Sequence, residues 1–225
     1  MSADNLTNSF PPPPPPSRQE IDAFVKAAET GDTAAVTAFL DKHISAIEQK
    51  NSDGYTALIK AAREGKKTVV ELLLDKGAQV DGRDKYNWSP LITAASTGRT
   101  EVVALLLEKG AEMGATAQEG WTALMWAARF EHPDTVRFLL EKGADLNAVN
   151  ERGKNALMMA QWDRGGGETA ELIEQWLELR QCAELERQNK EREIAEARAR
   201  ELNAIRLGKL KSQRPSKSPF KGGRP

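Results

Sequence analysis

Apolar residues in the middle of the chain fall into clusters that return in phase. Tyr55-Thr56-Ala57-Leu58 is answered by Trp88-Ser89-Pro90-Leu91, Trp121-Thr122-Ala123-Leu124 and Lys154-Asn155-Ala156-Leu157, each 33 residues after the last. A second set keeps the same step: Glu71-Leu72-Leu73-Leu74-Asp75-Lys76-Gly77, then Ala104-Leu105-Leu106-Leu107-Glu108-Lys109-Gly110, then Arg137-Phe138-Leu139-Leu140-Glu141-Lys142-Gly143. A fixed period of this size marks a repeat architecture, in which stacked supersecondary units build a shared core that none could build alone. Thirty-three residues hold two short helices and a connecting hairpin.

Local chemistry assigns the parts. Thr56, Ser89 and Thr122 can accept a hydrogen bond from the unpaired amides of a helix start. The small pairs Ala61-Ala62, Ala94-Ala95 and Ala127-Ala128 let that helix approach its neighbour closely. Gly65 and Gly98 then turn the chain, a stretch such as Val69 to Leu74 forms an outer helix, and Gly77, Gly110 and Gly143 stop it in the left-handed conformation. Segments such as Ala144-Asp145-Leu146-Asn147 lead into expected β-hairpins tipped by Asp53-Gly54, Tyr86-Asn87, Glu119-Gly120 and Arg152-Gly153.

This pattern resembles the ankyrin repeat, whose motif is Thr-Pro-Leu-His-x-Ala-Ala, then Gly, a Leu-Leu run, and Gly-Ala-Asp-x-Asn. The resemblance covers roughly residues 21 to 180. The motif's Pro survives as Pro90, and its His is replaced by Ile59, Ile92, Met125 and Met158. It implies an all-α ankyrin-repeat solenoid of helix-turn-helix units with β-hairpin loops. About five repeats are expected over residues 20–180, the first and last being degenerate caps. Upstream, Ala27-Ala28-Glu29-Thr30-Gly31 matches Ala61-Ala62-Arg63-Glu64-Gly65 with one extra residue before Tyr55; downstream the phase loosens at Gly165-Gly166-Gly167.

Trp176 stands where the next stopping glycine belongs, so the last outer helix is expected to continue as one long charged helix from about Glu168 to about Leu210, with residues 181–211 forming an extension beyond the repeats. Glu186 with Lys190 and Glu196 with Arg200 have the favourable i, i+4 order. Ile194, Leu202, Ile205 and Leu207 do not sustain a heptad, which favours a solvated helix over the alternative, a coiled coil. Residues 1–19, with a polyproline run at Pro11–Pro16, and residues 212–225 are expected to be disordered.

Composition sharpens the functional reading. With 40% hydrophobic and 29% charged residues the chain supports a soluble core, and a net charge of -1 conceals a basic end at Arg206, Lys209, Lys211, Arg214, Lys217, Lys221 and Arg224. The single Cys182 excludes an intrachain disulfide, and the N-terminus lacks the basic start and apolar core of a secretory signal. No stretch approaches a membrane span, so a cytoplasmic protein, monomeric, is expected. His43 and His132 are the only histidines and no metal-ligand or nucleophile spacing surrounds them; Gly165-Gly166-Gly167 lacks the Lys-Ser/Thr of a phosphate loop. Neither a cofactor nor a metal nor catalysis is expected.

The informative residues stand in the columns set by the period. The position after each loop tip holds Tyr55, Trp88, Trp121 and Lys154, beside Tyr86 at a tip, while the inner helices add Trp126, Arg129, Phe130, Met159 and Trp162. In ankyrin repeats the hairpin tips and inner helices form the concave face that usually contacts partners, and Trp, Tyr and Arg dominate binding energy. The resemblance therefore implies a non-enzymatic scaffold that holds a partner protein on this face. The same rings could instead cover the backbone of the adjacent repeat. An alternative function is weak, salt-sensitive binding of nucleic acid or an anionic surface through the basic tail. Phe10-Pro11-Pro12-Pro13-Pro14 resembles the proline ligands of actin-regulatory adaptor domains; without the acidic flank it reads as a spacer.

Overall fold

Ser17 opens the first helix with a capping box: its hydroxyl accepts from the amide of Glu20, whose carboxylate accepts in return from the Ser17 amide at 2.8 Å. In this computed structural model, which describes residues 14–162 and 167–212, helix α1 therefore runs Arg18–Thr30, beginning two residues before the expected boundary. It pairs with α2 (Thr33–His43), capped by Asp32. The following pairs are α3 (Ala57–Arg63) with α4 (Lys67–Asp75), α5 (Pro90–Ser96) with α6 (Thr100–Glu108), and α7 (Ala123–Arg129) with α8 (Pro133–Glu141). A short α9 (Ala156–Ala160) precedes α10 (Glu168–Ser212).

The inner helices α1, α3, α5, α7 and α9 stack in order, and the outer helices α2, α4, α6 and α8 stack behind them. Thr56, Ser89 and Thr122 cap the inner helices as their chemistry requires, and Asn155 does the same for α9. Gly77, Gly110 and Gly143 end the outer helices at φ of 95, 90 and 91°. Leu40, Leu73, Leu106 and Leu139 form one buried column through the outer helices, facing the Ala pairs of the inner ones. Ile59, Ile92 and Met125, in the place of the motif's His, are 1% exposed or less, so apolar packing fills that position. Polar ties between repeats come from elsewhere. Arg99 Nε donates to the Arg63 carbonyl at 3.1 Å, and His132 Nε2 lies 3.1 Å from that of Ser96, each satisfying the end of the preceding inner helix.

The expected β-hairpins do not form; among the described residues there is no strand. Each tip is a tight turn whose base is closed by a backbone bond, Asn51 N–H to Tyr55 O at 2.9 Å, Asp84 to Trp88 at 3.1 Å, Ala117 to Trp121 at 2.8 Å and Asn150 to Lys154 at 3.0 Å, and whose bend is closed by a second, from the amides of Gly54, Asn87, Gly120 and Gly153 back to the carbonyls of the same four residues. Side-chain oxygens of Asn51, Asp84 and Asn150 accept the amides two and four residues on, taking donors that a strand ladder would need. Ala117 has no such oxygen. There the chain tightens into a 3-10 turn at Gln118–Gly120, with Glu119 at φ 58° and an isolated bridge between Thr116 and Thr122.

Compactness divides the chain after Glu174. In the repeat unit, Thr169, Ala170 and Ile173 at the start of α10 are buried. In the second unit α10 runs on through Trp176 without a stop, and every side chain from Glu178 to Arg206 is exposed. Glu196 pairs with both Arg192, at 3.2 Å, and Arg200, at 3.6 Å. No helix among the described residues is long and apolar enough to cross a membrane. The expectations for residues 1–13, including Phe10-Pro11-Pro12-Pro13, and for the tail from residue 213 lie outside the described residues, as does most of the Gly165-Gly166-Gly167 run.

Candidate functional site

Loop tips held by the Asn51 and Asp84 side chains, and by the 3-10 turn after Ala117, aim the residue behind each tip along the inner-helix side of the stack. Tyr55, Trp88 and Trp121 project there in consecutive repeats, and α7 adds Trp126 from within. Trp126 is the hub: its ring centroid lies 4.3 Å from Trp121, 4.6 Å from Trp88 and 5.6 Å from Phe130, with interplanar angles of 29, 41 and 12°. Such offset contacts contribute about 0.5–1.5 kcal/mol per pair beyond burial. The rings thus cover adjacent loops and also keep surface open, since Trp88, Trp121 and Trp126 are all half-buried and Phe130 is 50% exposed.

These rings, with Tyr55 and Tyr86, line a groove of about 640 Å³. Arg63, Thr97, Glu119 and Arg152 complete its rim, Arg152 Nη2 meeting Glu119 Oε1 at 3.0 Å. At the Tyr55 end, Lys60 Nζ lies 4.7 Å from the ring centroid and pairs with Glu29 Oε1 at 3.3 Å. Hydrogen bonding from Lys26, joined by Lys60, holds the Glu29 carboxyl below its ordinary value. Three buried side-chain polar atoms have no hydrogen-bond partner among the described residues, Trp126 Nε1, Asn150 Nδ2 and Thr169 Oγ1, each a deficit of about 1–3 kcal/mol.

The expected column is not one surface. Trp121, Arg129, Lys154, Met159 and Trp162 line a separate hollow of about 130 Å³ that shares Trp121 and Arg152 with the groove. Arg129 sits over the half-exposed Trp162 ring at 5.7 Å. Met159 is corrected: at 2% exposure it is a core residue at the base of that hollow and offers almost no contact surface, because α9 packs its side chain against α7. Sequence reasoning passed over Arg63, Thr97, Glu119 and Arg152. The period held the signal: Arg63 stands in the column of Arg129 and Trp162, Thr97 in that of Phe130, and Glu119 and Arg152 in that of Tyr86.

A family model described as ankyrin repeats (3 copies) matches residues 24–117 and 110–175, well over half of the sequence. The chain belongs to the ankyrin-repeat family. Its fold is accordingly an all-α repeat solenoid with a long C-terminal helix. A comparison with curated proteins gives no match. Ankyrin repeats are generally protein–protein interaction modules, and in this ankyrin-repeat chain an open groove lined by convergent aromatic rings lies on the inner-helix side.

Proposed function

We propose that this protein is a non-enzymatic scaffold of the cytoplasm that binds a partner protein in the aromatic groove between Tyr55 and Phe130. One observation carries the reading: the half-buried indoles of Trp88, Trp121 and Trp126 and the half-exposed Phe130 ring gather on one open groove. Aromatic rings with open surface are the side chains that most often dominate binding energy. The binding unit in this reading is the monomer. A partner burying about 800 Å² per side would cover the groove and its rim.

The test is affinity capture from a lysate of the source cell. Wild type is compared with a Trp88→Ala, Trp121→Ala, Trp126→Ala variant first shown by circular dichroism to keep its helix content. The reading expects one retained protein that the variant loses by tenfold or more, since each centrally buried Trp is worth about 2 kcal/mol. Capture that survives the variant and disappears on deletion of residues 208–225 would place the function in the basic tail instead.

A further inference from the structure

The rings around the groove and the hollow already carry cations of this chain. Lys60 Nζ lies 4.7 Å from the Tyr55 centroid, Lys85 Nζ 4.9 Å from that of Tyr86, and the Arg129 guanidinium 5.7 Å from that of Trp162. Further cationic side chains line the two depressions: Arg63 the groove, Lys154 the hollow and Arg152 both. Carboxylates answer them incompletely. Glu29 pairs with Lys60 at 3.3 Å and Glu119 with Arg152 at 3.0 Å, but Glu64 reaches Arg63 only at 4.0 Å, and buried Asp84 is spent on the Tyr86 and Trp88 amides. Lys85 and Lys154 have no ion pair among the described residues. Lys154 stands in the column of Tyr55, Trp88 and Trp121 and is half-buried, where a charge pair is screened less than on an open surface.

The surplus on this face is positive although the chain's net charge is -1, so complementarity calls for carboxylates. Among the cations lies open ring surface on Tyr86, Phe130 and Trp162, all about half-exposed. The matching ligand is therefore an acidic segment with apolar side chains among its carboxylates. Gln118, the second Glu119 oxygen and the Tyr55 and Tyr86 hydroxyls line the groove as partners for its backbone. A basic segment would bring like charges to Lys85 and Lys154. Single-stranded nucleic acid is anionic too, but it stacks its bases on free ring faces, and Lys60, Lys85 and Arg129 already stand over the Tyr55, Tyr86 and Trp162 rings.

Building on the scaffold reading, we propose that the partner protein presents an acidic segment to this face, its carboxylates meeting Lys154 and Lys85 and its apolar side chains lying against the exposed rings. In the experiment, random ten-residue peptides displayed on phage are selected on the immobilised full-length chain, and a selected peptide is then titrated by fluorescence anisotropy. The selected sequences are expected to be enriched in Asp and Glu together with Leu, Met, Phe or Trp. Their affinity should fall severalfold between about 50 and 500 mM salt. Lys154→Glu is expected to weaken binding about fivefold, since a counter-charge becomes a like charge. Lys142→Glu, at the end of outer helix α8, should leave it unchanged. If Lys154→Glu does not fold, Lys85→Glu, at an exposed loop tip, is expected to weaken binding about threefold.

No enrichment over the starting library, enrichment of basic or uncharged sequences, or indifference to both substitutions overturns the proposal. An oligothymidylate that competes with equal affinity would assign the cations to nucleic acid and overturn the partner protein as occupant. Salt-sensitive self-association of the chain that Lys154→Glu abolishes would overturn it too, in favour of the acidic stretch from Glu168 to Glu186 of another copy. Groove-dependent capture from lysate without acidic enrichment would reject the acidic class and leave the scaffold reading standing. Loss of both would reject both.

Discussion

At the scale of single residues, the loop tips at Asn51, Asp84 and Asn150 are each decided by one side-chain oxygen. Asp84 Oδ1 accepts the Tyr86 and Trp88 amides and is buried at 7% exposure. Asp84→Asn keeps an acceptor in place and should be nearly neutral, whereas Asp84→Ala strands two amides and should lower stability by about 1–3 kcal/mol, read by urea denaturation. Equal losses for the two would contradict the account. Glu131 makes the complementary point. It occupies the column of Gly65 and Gly98 and shares their left-handed backbone, at φ 56° against 72 and 68°. Glu131→Gly should therefore raise stability by roughly 1 kcal/mol, despite glycine's greater entropy loss on folding. A fall in the thermal midpoint would refute that argument. The column is plain in the sequence, but that Glu131 keeps the glycines' left-handed turn shows only in the backbone.

Elements were legible where one residue type enforces one geometry. Hydroxyl caps, alanine pairs and stopping glycines placed the inner and outer helices, and the lack of a glycine at Trp176 gave the continuation of α10. The hairpins were misjudged because turn residues report a reversal without saying whether flanking amides pair across strands or bond to a side chain. The ring cluster was legible only as a column; that Trp126 would gather rings from two loop tips and its own helix depends on packing between repeats. A pH dependence belongs to this scale. Glu29 links α1 to α3 through Lys60, and its carboxyl is lowered from the ordinary 4.5, chiefly by the Lys26 hydrogen bond. A depressed carboxyl contributes stability that is complete above 4.5 and is lost as pH falls through the folded value. Unfolding midpoints measured from pH 7 downward should therefore drop less in Glu29→Gln than in wild type below that point, with the two parallel above it. Coincident acid limbs would remove Glu29 from the explanation.

On the scale of the whole molecule, a stack of repeats places its interaction chemistry in columns, and stability is shared between neighbours. The groove spans several repeats, from Tyr55 to Arg152, so its shape depends on how faithfully they stack. The second unit has a different physical basis. From Glu178 to Arg206 every side chain is exposed, and α10 there rests on helix propensity and surface pairs such as Arg192–Glu196, each contributing only a few tenths of a kcal/mol. Hydrogen exchange should accordingly be far faster for amides beyond residue 185 than for α5, whose residues are all buried. Equal protection in the two would require a packing surface for α10 that these residues do not have within their own unit.

The central claim is that partner binding takes place on the ring cluster. Hydroxyl-radical footprinting of the captured complex reads that directly, because indole, phenol and phenyl rings are oxidised where solvent reaches them. The account predicts that Tyr86, Trp88, Trp121 and Phe130 become protected in the complex while Phe138, on the outer helix α8, keeps its free-state reactivity. Unchanged oxidation of the groove rings, with protection on the outer helices or on α10, would contradict it.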